Sequence, residues 1–344
     1  MTINRLHRKS AFLKKYAMRP EFSVLVMFLL MLAISSNLQS NFFEQKSMVR
    51  NMNAFMPLIL MSMGQAVVMI SGGIDLSIGS ALSLLTCVLT YVMKKDDPLS
   101  GIYALLVAFA IAMVIGIVNG IGTGYLRIPP VIVTFATSYI WLGLALFIRP
   151  TPGGESVPWY KWFYDINAFA PAPAWAKKIG TLLPPAFWLI LVGCLIWYLV
   201  SRMKTGRYLY AVGSNSDSAY ESGINTARIQ MYAYMISSLF VLLTALFFVG
   251  QNQSGDARMG DPLTLRTIAA AVVGGIAMSG GRGNIYFVIV GALILSLVNK
   301  IIFFADIPYA YQTLVGGFIV ILAIASSKIY TMYNRKGTAR LKGK

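Results

Sequence analysis

The chain has 344 residues, 57% hydrophobic and only 12% charged, about half the charged share of an ordinary soluble domain. That balance excludes a typical soluble globular protein and predicts an integral membrane protein. The net charge of +17 does not indicate nucleic acid, since the basic residues fall between apolar runs and form neither a face interleaved with stacking aromatics nor a known module.

Six Lys/Arg precede Glu21, and the apolar run Phe22–Ile34 follows. This resembles a secretory signal, but the long basic region and the many later apolar runs predict an uncleaved first span. Windows of about 17–25 apolar residues can cross a bilayer. Ten occur, at 22–39, 54–71, 76–93, 101–125, 130–149, 183–201, 229–250, 265–280, 284–304 and 308–328. The eighth is short and glycine-rich, so it is expected to be broken or only partly inserted. The expected fold is an all-α membrane protein: one transmembrane domain over 21–328 between basic tails at 1–20 and 329–344.

Between the second and third spans, Val68–Ser80 reads VMISGGIDLSIGS. A buried aspartate costs roughly 2.5–3.5 kcal/mol at the centre of an inserted helix, which places Asp75 at a helix break, a cavity or the membrane edge. Gly72 and Gly73 can open the helix, and Asp75 with Ser77 can cap the next one, which continues through Gly79. A capped turn between spans would look the same. A fainter echo of this pattern, an apolar run ending in Gly-Gly, occurs at Val272–Asn284.

Ten spans put both termini on one side, and the positive-inside rule chooses which. With the termini in the cytoplasm, 18 of the 29 Lys/Arg are internal, including Arg127, Arg202, Lys204, Arg207, Arg228 and Arg282. Most acids, from Glu44 to Asp306, become external. The external loop 150–182 is rich in proline and tryptophan and contains Trp159–Asp165 (WYKWFYD), a composition that suits an aromatic belt or a structured surface for a soluble partner. Arg149, Lys161 and Arg258 lie at or near external span ends, where they can pair with carboxylates of such a partner. The internal loop 202–228 predicts one short helix, capped by small polar residues before Asp217 and ended at Gly223 by a left-handed residue.

Chemistry for catalysis is absent from the sequence. No G-x-x-x-x-G-K-[ST] loop occurs, nor a G-x-S-x-G elbow, and the one histidine, His7, sits in the basic tail. Cys87 and Cys194 fall within apolar runs and read as buried thiols. The chain is expected to be no enzyme and to hold neither metal nor cofactor. Uncharged polar residues recur within spans, among them Asn53, Gln65, Asn119, Thr134 and Asn299; they suit either interhelical hydrogen bonds or a route for a neutral polyol. An ion-coupled secondary transporter is the alternative, although Asp75 is the lone carboxylate well inside the apolar sequence.

GGIDLSIG at Gly72–Gly79 resembles the signature of membrane permeases from ABC importers of the ribose/galactose/autoinducer-2 type. VVGGIAMSGGRG at Val272–Gly283 is similar to the later glycine-rich segment of that family, and AVGSNSDSAYESGIN at Ala211–Asn225 to its cytoplasmic coupling loop. The resemblance implies a permease subunit in the bacterial cytoplasmic membrane, carrying a monosaccharide of ribose type. It implies three partners: a cytoplasmic ATPase that holds ATP and Mg, an extracytoplasmic sugar-binding protein, and a second permease copy or paralogue. It also implies that Ser214, Asn215, Ala219, Tyr220 and Gly223 contact the ATPase.

Overall fold

The computed structural model describes residues 20–165, 183–306 and scattered positions up to 318. Among the described residues every regular element is helical. In chain order these are α1 (Pro20–Leu38), α2 (Gln45–Ile70), α3 (Ile78–Val92), α4 (Ser100–Gly120) with a π-helical turn (Ile121–Tyr125), α5 (Pro130–Ile148) and a 3-10 turn (Pro158–Phe163). Then follow α6 (Pro185–Arg202), α7 (Lys204–Ser214), α8 (Ser216–Glu221), α9 (Thr226–Asn252), α10 (Thr264–Val273) and α11 (Ile285–Phe304).

Among the described residues six helices are long and apolar enough to cross a bilayer: α2, α4 with its π turn, α5, α6, α9 and α11. Of the ten expected windows, the third and the eighth hold shorter helices. The apolar helices α3 and α10 have only 15 and 10 residues. The expected span 308–328 lies largely outside the described residues, as do both tails and 166–182. At 1.5 Å per residue α10 is only about 15 Å long, half a bilayer core.

Two helices form the centre. The best apolar window of α2 is 94% buried and that of α9 72%, whereas α4, α5 and α6 bury a third or less. Those outer helices carry Leu106, Phe109, Phe135, Ile140, Phe147, Leu191 and Leu195 exposed, which forms an apolar surface suited to lipid. Helix α9 belongs to both hydrophobic clusters. Phe240 and Phe247 pack with α2, α6, α10 and α11; Val241, Ala245 and Val249 pack with α3, α4 and α5.

Packing of α4 on α9 rests on a glycine stripe. A Cβ at Gly116 would meet the Met235 backbone, one at Gly120 the Met231 backbone and one at Gly124 the Ala227 carbonyl. The four-residue spacing puts all three on one face and lets the two backbones approach closely.

At the end opposite α7, the aromatic run of the expected external loop folds onto the protein. Tyr160 is fully buried and donates to the Gly101 carbonyl at 2.9 Å, while Trp159 donates to the Pro98 carbonyl at 3.1 Å. Burial pushes the Tyr160 phenol above its usual range, so it stays a neutral donor. Gly153 and Gly255 exchange backbone hydrogen bonds at 3.0 and 2.8 Å, which ties this loop to the segment after α9.

Candidate functional site

Helix α2 ends at the glycine pair. Ser71 is its C-cap, Gly72 takes a φ of 91°, and the amides of Gly72 and Gly73 bond back to Met69 and Val68, each at 3.0 Å. This is a Schellman ending, and it needs a residue that tolerates positive φ at Gly72. The chain then runs without helix to Ser77, the N-cap of α3.

That non-helical stretch is held from three sides. On α2, the buried Gln65, with its amide oriented by its partners, accepts from the Asp75 N–H and donates to the Asp75 carbonyl, both at 3.1 Å. On α5, the Thr134 hydroxyl accepts from Leu76 N–H at 3.0 Å and lies 3.1 Å from the Ile74 carbonyl. On α4, Asn119 donates to the Ser77 hydroxyl at 2.8 Å and accepts from Thr137 at 2.7 Å. Backbone freed from a helix inside a membrane must find such partners within the protein.

Asp75 terminates this network. Its Oδ1 accepts from the Ser77 hydroxyl at 2.6 Å and from the Ser77 N–H at 2.8 Å. The capping expectation is corrected in detail: Ser77, not Asp75, is the N-cap of α3, and Asp75 bonds an amide one residue before the helix. Gln65, Asn119 and Thr134, candidates for lining a route, spend their polar groups on fixing the break. Of the other two, Asn53 is buried with an unpartnered Oδ1, and Asn299 is half-buried on α11.

A second break lies between α9 and α10, at a place not read from the sequence. Asp256 accepts from Arg258 N–H at 2.9 Å, the same turn that Asp75 makes with Ser77. Each aspartate is followed four residues later by glycine, and the two glycines meet. A Cβ on Gly79 would strike the Gly260 carbonyl, and one on Gly260 would strike that of Gly79. The true counterpart of the signature is therefore Ser254–Gly260. Val272–Asn284, the expected echo, follows α10; there Gly275 (φ 90°) closes a second Schellman ending, with Gly275 and Ile276 bonding back to Val272 and Ala271.

The two halves are inverted. Helix α2 runs to the end bearing α7, the chain turns back, and α3 returns to the Gly153 end. Helix α9 runs toward the Gly153 end, the chain descends beside α3, and α10 completes the path to the α7 end. Contacts fix these directions: Ile70 and Gly274 lie near Gly281 and the start of α11, whereas Gly250 lies against Tyr160. An antiparallel pair of half-helices starting near Gly79 and Thr264 is an arrangement shared by transporters with inverted repeats.

At the α7 end three glycine segments join. Gly281 N–H donates to the Ile70 carbonyl at 2.9 Å, a Cβ on Gly213 would strike that same carbonyl, and one on Gly280 would come within 2.7 Å of the Gly213 carbonyl and 2.9 Å of Gly72 Cα. Tyr210 of α7 donates to the Gly283 carbonyl at 3.0 Å. Burial raises the Tyr210 phenol above its usual range, which keeps that donor neutral. The sequence motifs around Gly72, Gly213 and Gly280 thus form one junction. Helix α7 itself was not expected from the sequence.

Helix α8 is built as its residues predict. Asn215 is the N-cap, its Oδ1 accepting from Asp217 and Ser218 N–H at 3.0 Å each. Gly223 has a φ of 81°, and Gly223 and Ile224 bond back to Tyr220 and Ala219, a third Schellman ending. Ser214 and Tyr220 are exposed, but Ala219 is buried and turned into the protein. Among the three cations proposed for docking, Lys161 and Arg258 are exposed. Arg149 instead donates to the Thr90 hydroxyl at 3.1 Å and carbonyl at 2.9 Å, capping the last turn of α3. No metal-ligand cluster is present among the described residues.

Comparison with known proteins agrees with this architecture. The family described as branched-chain amino acid transport system / permease component matches residues 47–324. The ribose import permease protein RbsC of Escherichia coli strain K12 is 28% identical over 330 residues, covering 94% of this chain and 98% of that protein. The D-allose transport system permease protein AlsC of the same strain is 30% identical over 273 residues, covering 79% and 80%. The autoinducer 2 import system permease protein LsrC of Yersinia pseudotuberculosis serotype O:3 (strain YPIII) is 28% identical over 307 residues, covering 88% and 82%. No solved structure matches. Sequence signature, apolar helices and relatives together favour an ABC-type permease over an ion-coupled carrier, and the chain belongs to the branched-chain amino acid transport system permease family, as a multi-pass protein of the bacterial inner membrane.

Proposed function

We propose that this chain forms the membrane pathway of an ATP-driven importer for a small neutral polyol, a monosaccharide of ribose type. Relatives named for ribose and D-allose support the substrate class. A separate cytoplasmic ATPase, holding ATP and Mg, supplies the energy, and an extracytoplasmic sugar-binding protein delivers the solute. A second copy or a related permease completes the pathway. Both termini and α7–α8 are cytoplasmic in this reading, since Arg202, Lys204, Arg207, Arg228 and Arg282 gather at that end. Among the external cations, exposed Lys161 remains suited to docking the binding protein.

The observation that carries the reading is the glycine junction. ATPase closure must change access through an element that contacts the protein differently in two states. The exposed side of α7–α8 bears Lys204, Arg207, Asp217, Tyr220 and Glu221, while Gly213 packs on the end of α2 at Ile70 and Tyr210 bonds the loop after α10 at Gly283. A displacement of α7 therefore acts directly on the end of α2 and on the loop Gly280–Gly283 that follows α10.

Cross-linking tests this placement. Cysteine at Tyr220 should form a cross-link with the ATPase in the assembled complex and label only from the cytoplasmic side. Labelling of that position from outside intact cells would invert the topology and remove the coupling role.

A further inference from the structure

The segment that descends from Gly255 to Thr264 has two unlike sides. Gly255 and Gly260 pack against α3, Ala257 is 3% exposed, and Gly260 N–H donates to the Ser83 hydroxyl at 3.0 Å. On the other side Arg258, Asp261 and Pro262 are exposed, and Leu265, on the first turn of α10, is 72% exposed. The side chains of Arg258 and Asp261 have no hydrogen-bond or ion-pair partner among the described residues.

The depth of this open side makes it informative. Helix α3 reaches the surface at Met93, where Lys94–Asp97 are exposed. Gly255 lies level with Thr86–Thr90 of α3, and Gly260 lies level with Gly79 and Ser83. At 1.5 Å per residue, Gly79 is about 20 Å along the α3 axis from that surface, well inside an apolar core of about 30 Å. An unpaired carboxylate at Asp261, next to Gly260, cannot face lipid at such depth, where it costs several kcal/mol, so it needs water or a polar partner; Arg258 lies nearer the surface, between the levels of Gly255 and Gly260. The matching segment of the other half is closed: Gly73, Asp75, Ser77 and Gly79 are all buried. Pseudo-symmetry thus gives one sealed break and one open break.

We infer that the solute passes along the open break, with Arg258, Asp261 and the first turn of α10 at Thr264 and Leu265 lining an aqueous route. This rests on the permease reading and adds where in the chain the route lies. A guanidinium and a carboxylate three residues apart offer both donors and acceptors to a hydroxyl-rich neutral solute, and Leu265 offers an apolar contact to its ring carbons. The signature at Gly72–Gly79 then serves as scaffold, and its aspartate does not touch solute. Arg258 moves from the docking surface to the route.

The test measures water access in the complete complex with ATPase and binding protein. Cys87 and Cys194 are replaced by alanine, and single cysteines are placed at Arg258, Asp261 or Leu265, with Ile140, which is 53% exposed in the middle of α5, as the lipid-facing control. The probe is the membrane-impermeant reagent sulfonatoethyl methanethiosulfonate. Cysteine at 258, 261 and 265 should react at least 10-fold faster than cysteine at 140. Reaction no faster than at 140 overturns the inference. ATP-driven uptake by the parent that lacks both native cysteines and cross-linking at Tyr220 report on the permease reading separately, so either idea can fail alone.

Discussion

Asp75 shows how a charged side chain can be structural in a transporter. It receives two hydrogen bonds from Ser77, and Ser77 receives one from Asn119, which in turn is held by Thr137. Each donor in this chain points toward the carboxylate, so Asp75 orients the network rather than presenting a free charge. Asparagine at 75 keeps an acceptor oxygen in the same place, whereas leucine leaves a buried N–H and a buried hydroxyl without their partner, at about 1–3 kcal/mol for each unsatisfied group. The expected outcome is that Asp75→Asn retains most uptake and nearly the same thermal midpoint in detergent, while Asp75→Leu loses several degrees and most membrane accumulation. If Asp75→Asn abolishes uptake with normal accumulation and midpoint, the charge itself takes part in transport. The sequence showed that an aspartate among glycines had to sit at a break, because its cost in lipid is large and local. It did not show which groups hold the break, since Gln65, Asn119 and Thr134 are brought to it by tertiary packing from 10 to 59 residues away.

At the scale of elements, the three Schellman endings have different jobs. The one at Gly72 ends α2 at the glycine junction, whereas those at Gly275 and Gly223 end α10 and α8 with no atom near an added Cβ. Gly213 is the tightest point, because any side chain there meets the Ile70 carbonyl. Gly213→Ala should therefore insert normally but lower sugar uptake per ATP hydrolysed by about 10-fold, on the order of 1.4 kcal/mol in the coupled step. Gly223→Asn, which tolerates positive φ and enters open space, should change that ratio little. Equal losses in both would mean that helix ends, not the junction, set the coupling. Helix α8 was legible because its capping residues act locally. Helix α7 was not, since Lys204–Ser214 reads as a basic polar stretch and becomes a helix by burying Leu209 and Val212 against its neighbours. The repeat was also hidden: Asp75–Gly79 and Asp256–Gly260 share only an aspartate and a glycine four residues apart, and the two Gly-Gly runs drew attention elsewhere.

The whole molecule combines a buried core pair, α2 and α9, with an outer apolar surface and two inverted breaks that meet at Gly79 and Gly260. Apolar period and length sufficed to predict the six full spans, because those helices answer to the bilayer. The third window, 76–93, was read slightly long, because protein rather than lipid surrounds much of α3 and bilayer thickness does not set where it starts, whereas the eighth was expected to be short or broken and holds the 10-residue α10. The sequence carries no G-x-x-x-x-G-K-[ST] loop, and in the proposed function a separate ATPase supplies the energy. The most direct measurement is D-ribose uptake into proteoliposomes holding the purified chain, with and without its ATPase and binding protein. Accumulation should appear only with ATP and both partners present, and the chain alone should neither hydrolyse ATP nor concentrate sugar. Accumulation by the chain alone, driven by a proton or sodium gradient, would contradict the account.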